Sequence, residues 1–293
     1  MLKHCDRECN DISIILSSGD GTLHEIVNAL LSTRPADQSH IWQRTALSIA
    51  LVPSGTANAL YSTLYPEFED TTAYRLQAIQ AFIREPYKAR PLSIAETVIE
   101  SSDSQTQTIY SAIVTSTSLH ASILHDSEIL RDEIPDLERF KVAAKNNITR
   151  WYNSDVVLLS AENGGVSRYN TRTRDFELVQ NETESTEGLH IKGPFTYFTS
   201  TVNVDRLEPS FMISSLQSKL PAATACMEII ALRPLRYPSI QGDTPKEREN
   251  YAEITTAVLS AAYRGEHADL TLKAGAEGIA EYFRCDGWKW IPV

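Results

Sequence analysis

Two glycine-punctuated loops constrain this chain more than any other feature: Ser18-Gly19-Asp20-Gly21-Thr22 and Pro53-Ser54-Gly55-Thr56-Ala57-Asn58, about 35 residues apart. Each follows an apolar run fit for a buried strand, Ile12 to Leu16 and Ala46 to Val52. Each opens a segment with helical spacing. After the first loop, Leu23, Ile26, Val27, Leu30 and Leu31 fall on one helix face, and Thr22 with Glu25 forms a capping box. After the second, Ala57 to Leu64 is the expected helix. Another is expected across Thr72 to Arg84, with Leu76, Ile79, Ala81 and Phe82 inward. Repeated strand-loop-helix order predicts a parallel sheet with helices on its faces. Both loops would then lie at the carboxyl ends of strands, where such sheets bind ligands.

The pattern changes near Arg90. Short strand-like runs follow: Leu92–Ile99, Thr108–Thr115, Val156–Leu159, Thr196–Val204, Ala225–Leu232 and Leu270–Lys273. Their alternation predicts an antiparallel β domain, interrupted by a helical stretch over roughly Asp126 to Arg150. Ser101–Gln107, Glu162–Glu187 and Ser239–Glu249 read as polar connectors, the second a mobile one. The expected organisation is an α/β nucleotide-binding domain over residues 1–90 and a β domain over residues 91–293.

A length of 293 residues is enough for two domains, and 42% hydrophobic against 22% charged residues places the chain among globular proteins. The net charge of −11 argues against nucleic acid as a partner but leaves room for a local membrane-binding patch. Cys5, Cys9, Cys226 and Cys285 are too few and scattered for a disulfide framework, which points to a reducing compartment. His4, Cys5 and Cys9 lack the second ligand pair of a zinc site, and a loosely ordered N-terminus is expected instead. Residues 1–10 are charged and polar, unlike a signal peptide, and no apolar run approaches the ~18 residues of a membrane span. The expected location is cytoplasmic, with peripheral contact at membranes. Asn147-Ile148-Thr149 and Asn181-Glu182-Thr183 match the glycosylation pattern, read here as chance.

A strand feeding a Gly-rich loop and a helix can hold a phosphate, because free backbone N–H groups and the positive end of the helix dipole face the anion. Two such loops point to a nucleotide-using enzyme. Asp20 is the candidate catalytic residue: its glycine neighbours let a carboxylate approach bound phosphates, to accept a proton or to bind Mg2+. A Gly-Asp-Gly tight turn is the alternative use of that tripeptide. The preceding strand, the capping box and the second loop favour the catalytic one.

Residues 18–30, Ser-Gly-Asp-Gly-Thr-Leu-His-Glu-Ile-Val-Asn-Ala-Leu, resemble the signature of the diacylglycerol kinase catalytic domain family, and His24-Glu25 resembles its sphingosine (long-chain base) kinase branch. Pro53 to Leu60 is similar to the family's second nucleotide loop. The resemblance continues more faintly through Ser127-Glu128-x-x-Arg131, Glu138-Arg139-Phe140, Phe195 to Val204, Ala222 to Pro234, and Arg284-Cys285-Asp286-Gly287. It implies an α/β domain followed by a β-sandwich domain, the active site between them, and transfer of the γ-phosphoryl group of ATP, with Mg2+, onto a lipid hydroxyl. By matching positions it implies Asp20 as general base. Ser18, Gly19, Gly21, Thr22, Glu25, Ser54, Gly55, Thr56, Ala57 and Asn58 would border the nucleotide, with Arg131 and Arg139 on phosphate oxygens. Asp286 and Gly287 would lie nearby, and Asp20 and Asp286 would bind the metal. The implied partners are a lipid substrate and, transiently, a membrane surface. The alternative for the two arginines is an exposed helix face paired with Glu128 and Glu138.

The sequence departs from this family at three places. Nothing in residues 1–10 matches the Asn-Pro-x-x-Gly loop that precedes Gly-Asp-Gly-Thr, so an N-terminally incomplete product or an impaired kinase is expected. Trp288 follows Asp286-Gly287 where the family has Glu. Ser122 and Leu124 stand where an acid would grip a sphingoid amine. Besides a lipid kinase acting on a sphingoid base or diacylglycerol, two readings remain: a pseudokinase that binds lipid or nucleotide, and an NAD kinase-like enzyme.

Overall fold

The computed structural model describes residues 11–32, 46–69, 71–84, 88–101, 105–160, 165–179, 188–272 and 277–293. His4, Cys5, Cys9, Lys273, the Asn181 sequon and most of the 162–187 connector lie outside them. Two compact units are present: Met1–Ile113 with Arg206–Pro209, and Val114–Asp205 with Ser210–Val293.

In the first unit β1 (Asp11–Ser18) pairs in parallel with β2 (Ala46–Pro53), from Asp11 opposite Ala46 to Ser18 opposite Pro53. This register puts Ile12, Ile14 and Leu16 beside Leu47, Ile49 and Leu51 on one face, and brings both Gly loops to the same end. Helix α1 (Asp20–Ser32) follows Gly19 directly and buries Leu23 and Val27. It starts two residues before the expected capping box, and Thr22 and Glu25 lie exposed on its first turns. Helix α2 (Ala59–Leu64) follows the second loop.

The single helix expected over 72–84 is two short ones, α3 (Thr72–Arg75) and α4 (Gln77–Ile83). The break has a cause the local sequence does not carry. The Tyr61 hydroxyl donates to the Tyr74 carbonyl and accepts from the Gln77 and Ala78 amides, so it stands in the hydrogen-bond ladder a continuous helix would need. Tyr74 is the buried residue of this stretch, and Ala81 is exposed. A hairpin of β3 (Ala95–Glu100) and β4 (Thr106–Ser111) completes the unit. Asn28 of α1 clamps it: its amide donates to the Tyr110 carbonyl at 2.7 Å and accepts from the Tyr110 N–H at 2.8 Å.

The second unit is built on antiparallel strands. β5 (Val114–Thr117), β6 (Ser154–Leu159), β7 (Ser167–Asn170), β8 (Asp175–Leu178), β9 (Leu189–Lys192), β10 (Tyr197–Thr201), β11 (Met227–Leu232), β12 (Glu281–Cys285) and β13 (Gly287–Pro292) form two sheets. One sheet has the order β5-β10-β11-β12-β7-β8 and the other β13-β6-β9. A single core cluster draws Val156, Leu158 and Ile191 from the smaller sheet and Phe198, Ile229, Ala231 and Phe283 from the larger. The helical region expected over 126–150 is α5 (Ser118–Ile129) and α6 (Glu138–Asn147), separated around Pro135, which lacks an N–H and restrains the residue before it. Of the strand expected over 270–273, the described part makes one bridge, Thr271 with Gly278. Between β11 and β12 lies α8 (Pro245–Ala262), which follows the short α7 (Leu216–Lys219) in the chain. The 239–249 segment read as a connector contains its start. Thr244 caps the Glu247 N–H at 3.2 Å ahead of Pro245, and Tyr251, Thr255, Val258 and Ala262 make its buried stripe.

Candidate functional site

The two Gly loops meet backbone to backbone. A Cβ on Gly55 would lie 2.4 Å from the Gly19 Cα, and one on Gly19 would lie 2.9 Å from the Gly55 Cα. Glycine is therefore required at both positions for this approach alone. The Ser54 N–H donates to the Ser18 carbonyl at 3.3 Å, extending the β1–β2 ladder into the loops. Asn58 closes the second loop on itself: it accepts from the Gly55 N–H at 2.9 Å and donates to the Gly55 carbonyl at 2.6 Å, from a backbone with φ of 52°. Asparagine tolerates that left-handed conformation better than most residues. Asn58 is expected at the nucleotide from the sequence, and its bracing of the loop has no signal there beyond the residue type.

Gly21 differs from the other two. A Cβ there would meet nothing within 4 Å, so packing does not require glycine. It leaves the first turn of α1 open, where backbone N–H groups have no acceptor in the helix. In the second loop, the N–H groups of Thr56 and Ala57 likewise have no acceptor among the described residues. Unfilled donors at a helix N-terminus and in an adjoining loop suit a phosphate. A cleft of about 270 Å³ opens beside the second loop, with Ser54, Gly55 and Thr56 on its wall.

Asp20 sits where the loops join. One carboxylate oxygen accepts from the Ala59 N–H at 2.8 Å and the other from the Leu60 N–H at 3.5 Å, so the side chain covers the start of α2. Burial pushes its carboxyl above the usual range, and the two amide bonds hold it back. The result is a half-buried carboxylate of raised basicity at the open end of a parallel sheet. Among the described residues no three His, Cys, Asp or Glu side chains cluster as a metal site. Mg2+ needs less than that, since one or two carboxylates commonly hold it together with substrate phosphates and water. Asp20 fits that use.

Residues 2–87 match the family model of the diacylglycerol kinase catalytic domain. That stretch runs through β1, α1, β2, α2, α3 and α4, and it contains both Gly loops and Asp20. This end of the chain is therefore similar to that catalytic domain, and the parallel β1–β2 pair is in keeping with an α/β domain. No curated protein matches the chain.

The remaining residues assigned from the diacylglycerol kinase resemblance lie in the second unit. Arg131, on the turn after α5, is exposed and pairs with Glu128 at 2.7 Å, the pairing expected of a solvated face. Arg139 is buried. Its guanidinium donates to the carbonyls of Pro135 and Asp136 at 2.8 and 2.7 Å, and Glu138 pairs with Lys141 instead. Asp286 is the exposed corner at which the chain leaves β12 for Gly287 and β13, its N–H donating to Leu159. Trp288 packs edge-on against Phe198 with ring centres 5.1 Å apart, which makes it part of the core between strands of the two sheets. Ser122 bonds the Tyr152 hydroxyl at 2.6 Å, and Leu124 is exposed. Asp126 accepts from Asn147 at 2.7 Å and pairs with His125 at 3.0 Å, which lowers its pKa.

Proposed function

We propose that this protein is an ATP-dependent lipid kinase that transfers the γ-phosphoryl group to the hydroxyl of a sphingoid base or diacylglycerol. The observation that carries this reading is the backbone contact of Gly19 with Gly55. It fuses two sets of open N–H donors into one platform with Asp20 at its junction. The match of residues 2–87 to a lipid kinase catalytic domain supports it.

In the proposed reaction Asp20 accepts the proton of the lipid hydroxyl as that oxygen attacks the γ-phosphorus, the bond from phosphorus to the β–γ bridging oxygen breaks, and ADP leaves with that electron pair. Burial makes the Asp20 carboxylate the stronger base. The N–H groups of Gly21 and Thr22, at the positive end of α1, hold negative charge on the phosphates, as do those of Thr56 and Ala57. Mg2+, bound at Asp20, would neutralise phosphate charge. The lipid would be met at a membrane surface, by transient contact of a chain located in the cytoplasm. A β-sandwich arrangement of the second unit belongs to the same proposal, favoured by the core its two sheets share.

One observation favours a second reading, a nucleotide- or lipid-binding pseudokinase: both oxygens of Asp20 already serve the start of α2. A panel of diacylglycerol, sphingosine and NAD, each with labelled ATP and Mg2+, separates the readings. The kinase reading expects label in one of the two lipids. Label in NAD alone, or in none, would reject it.

A further inference from the structure

The cleft beside the second Gly loop lies within the first unit, and its lining is of two unlike kinds. Ser54, Gly55 and Thr56 of the loop contribute to it, and so do Phe68, Tyr74 and Arg75. At about 270 Å³ it is at the small end of ligand sites. That suits a nucleoside and is short for a long acyl chain.

Phe68 is 56% exposed, yet it is not loose. Its ring forms a T-shaped pair with that of Tyr74, ring centres 5.4 Å apart at 77°. Tyr74 is itself fixed: its hydroxyl donates to the Tyr65 carbonyl at 3.1 Å, and its carbonyl accepts from Tyr61. A large apolar ring kept in water on a rigid mount is a stacking platform, which aromatic rings provide to every base. Apolar chains would be served by a continuous greasy wall. Here Ser54, Gly55, Thr56, Asn58 and Ser62 give much of the lining backbone, hydroxyl and amide character.

We infer that this cleft holds the nucleoside of the phosphoryl donor, its base stacked on Phe68 and its phosphates running over Gly55 and Thr56 toward Asp20. The inference rests on the kinase reading and adds to it a residue that selects a nucleotide over bare polyphosphate. Gly55 and Thr56 border both the cleft and the open amides, so base and phosphates are served by one continuous surface.

The test is calorimetric titration of the full chain, with Mg2+, by ATP and by inorganic tripolyphosphate. Phe68→Ala is expected to weaken ATP binding about tenfold, within the range of one stacked base. Tripolyphosphate binding should stay unchanged, and Phe68→Trp should restore ATP binding. Equal weakening of both compounds would mean that the ring only braces the loop. Weakening of neither would put the base elsewhere, and loss of binding to diacylglycerol vesicles with ATP binding intact would give the cleft to lipid. Each of these overturns the inference while leaving ATP binding by the wild-type chain in place. A wild-type chain that binds neither ATP nor tripolyphosphate would instead overturn the kinase reading, and this inference with it.

Discussion

Gly55 and Gly21 carry the same side chain for different reasons, and substitution separates them. Alanine at 55 would put its methyl 2.4 Å from a backbone atom of Gly19, which cannot swing away as a side chain could. Gly55→Ala should therefore cost ~1–3 kcal/mol of stability, read from denaturant midpoints. Alanine at 21 meets open space on a helix, so Gly21→Ala should leave the fold unchanged or stabilise it by ~0.5–1 kcal/mol. It should nevertheless weaken ATP binding, because the methyl occupies the approach to the α1 amides. A Gly21→Ala protein that binds ATP normally would remove this turn from the phosphate site. The Gly-x-Gly pattern was plain in the sequence. Which glycine serves packing and which leaves space was not, because that depends on a neighbour 36 positions away in the chain.

At the scale of elements, α1 is the part that must be held still, since Asp20 begins it. Its clamp is Asn28, bonded through both amide atoms to the backbone of Tyr110. Asn28→Ala leaves two backbone groups of β4 without these partners and should cost ~1–3 kcal/mol. Hydrogen exchange would read it as lost protection in β4, and protection equal to wild type would mean that α1 is held by its apolar face alone. Local periodicity revealed β1, α1 and β2, because each buries one side along a short run. It failed where distant groups decide. The Tyr61 hydroxyl splits α3 from α4, and no signal within 72–84 announces that. The miss at α8 is different in kind. Thr244, Pro245 and Glu247 are a helix-start signature, and Tyr251, Thr255, Val258 and Ala262 follow at helical spacing, so the signal was present. The charged run Lys246 to Glu249 masked it.

For the whole molecule, acid should weaken the second unit. His267 is fully buried, with Nε2 against the Ile213 carbonyl and the Tyr282 hydroxyl, while Nδ1 has no hydrogen-bond partner among the described residues. Burial, opposed by the bond to Ile213, pushes its pKa from 6.5 to about 4. Unfolded chains thus take up the proton first, and stability is lost as pH falls from 6.5 toward 4, by at most ~3 kcal/mol. His120, also lowered to about 4 by burial, acts in the same direction. Glu228 acts oppositely, since burial raises its pKa and favours the folded form at low pH. Comparing thermal midpoints of wild type and His267→Asn across that window isolates the first contribution: the slope should shrink, and an unchanged slope would contradict it. No helix among the described residues is long and apolar enough to cross a membrane.

As general base, Asp20 is proposed to remove the proton from the acceptor hydroxyl. Asp20→Asn tests it most directly, because an amide oxygen can still accept from the Ala59 N–H and keep α2 capped. Labelled phosphate transfer from ATP to lipid should fall by at least ~100-fold, the lower end of what a general base contributes. ATP affinity and thermal midpoint should stay near wild type. A variant that transfers phosphate at the wild-type rate would contradict the account and leave Asp20 as the cap of α2.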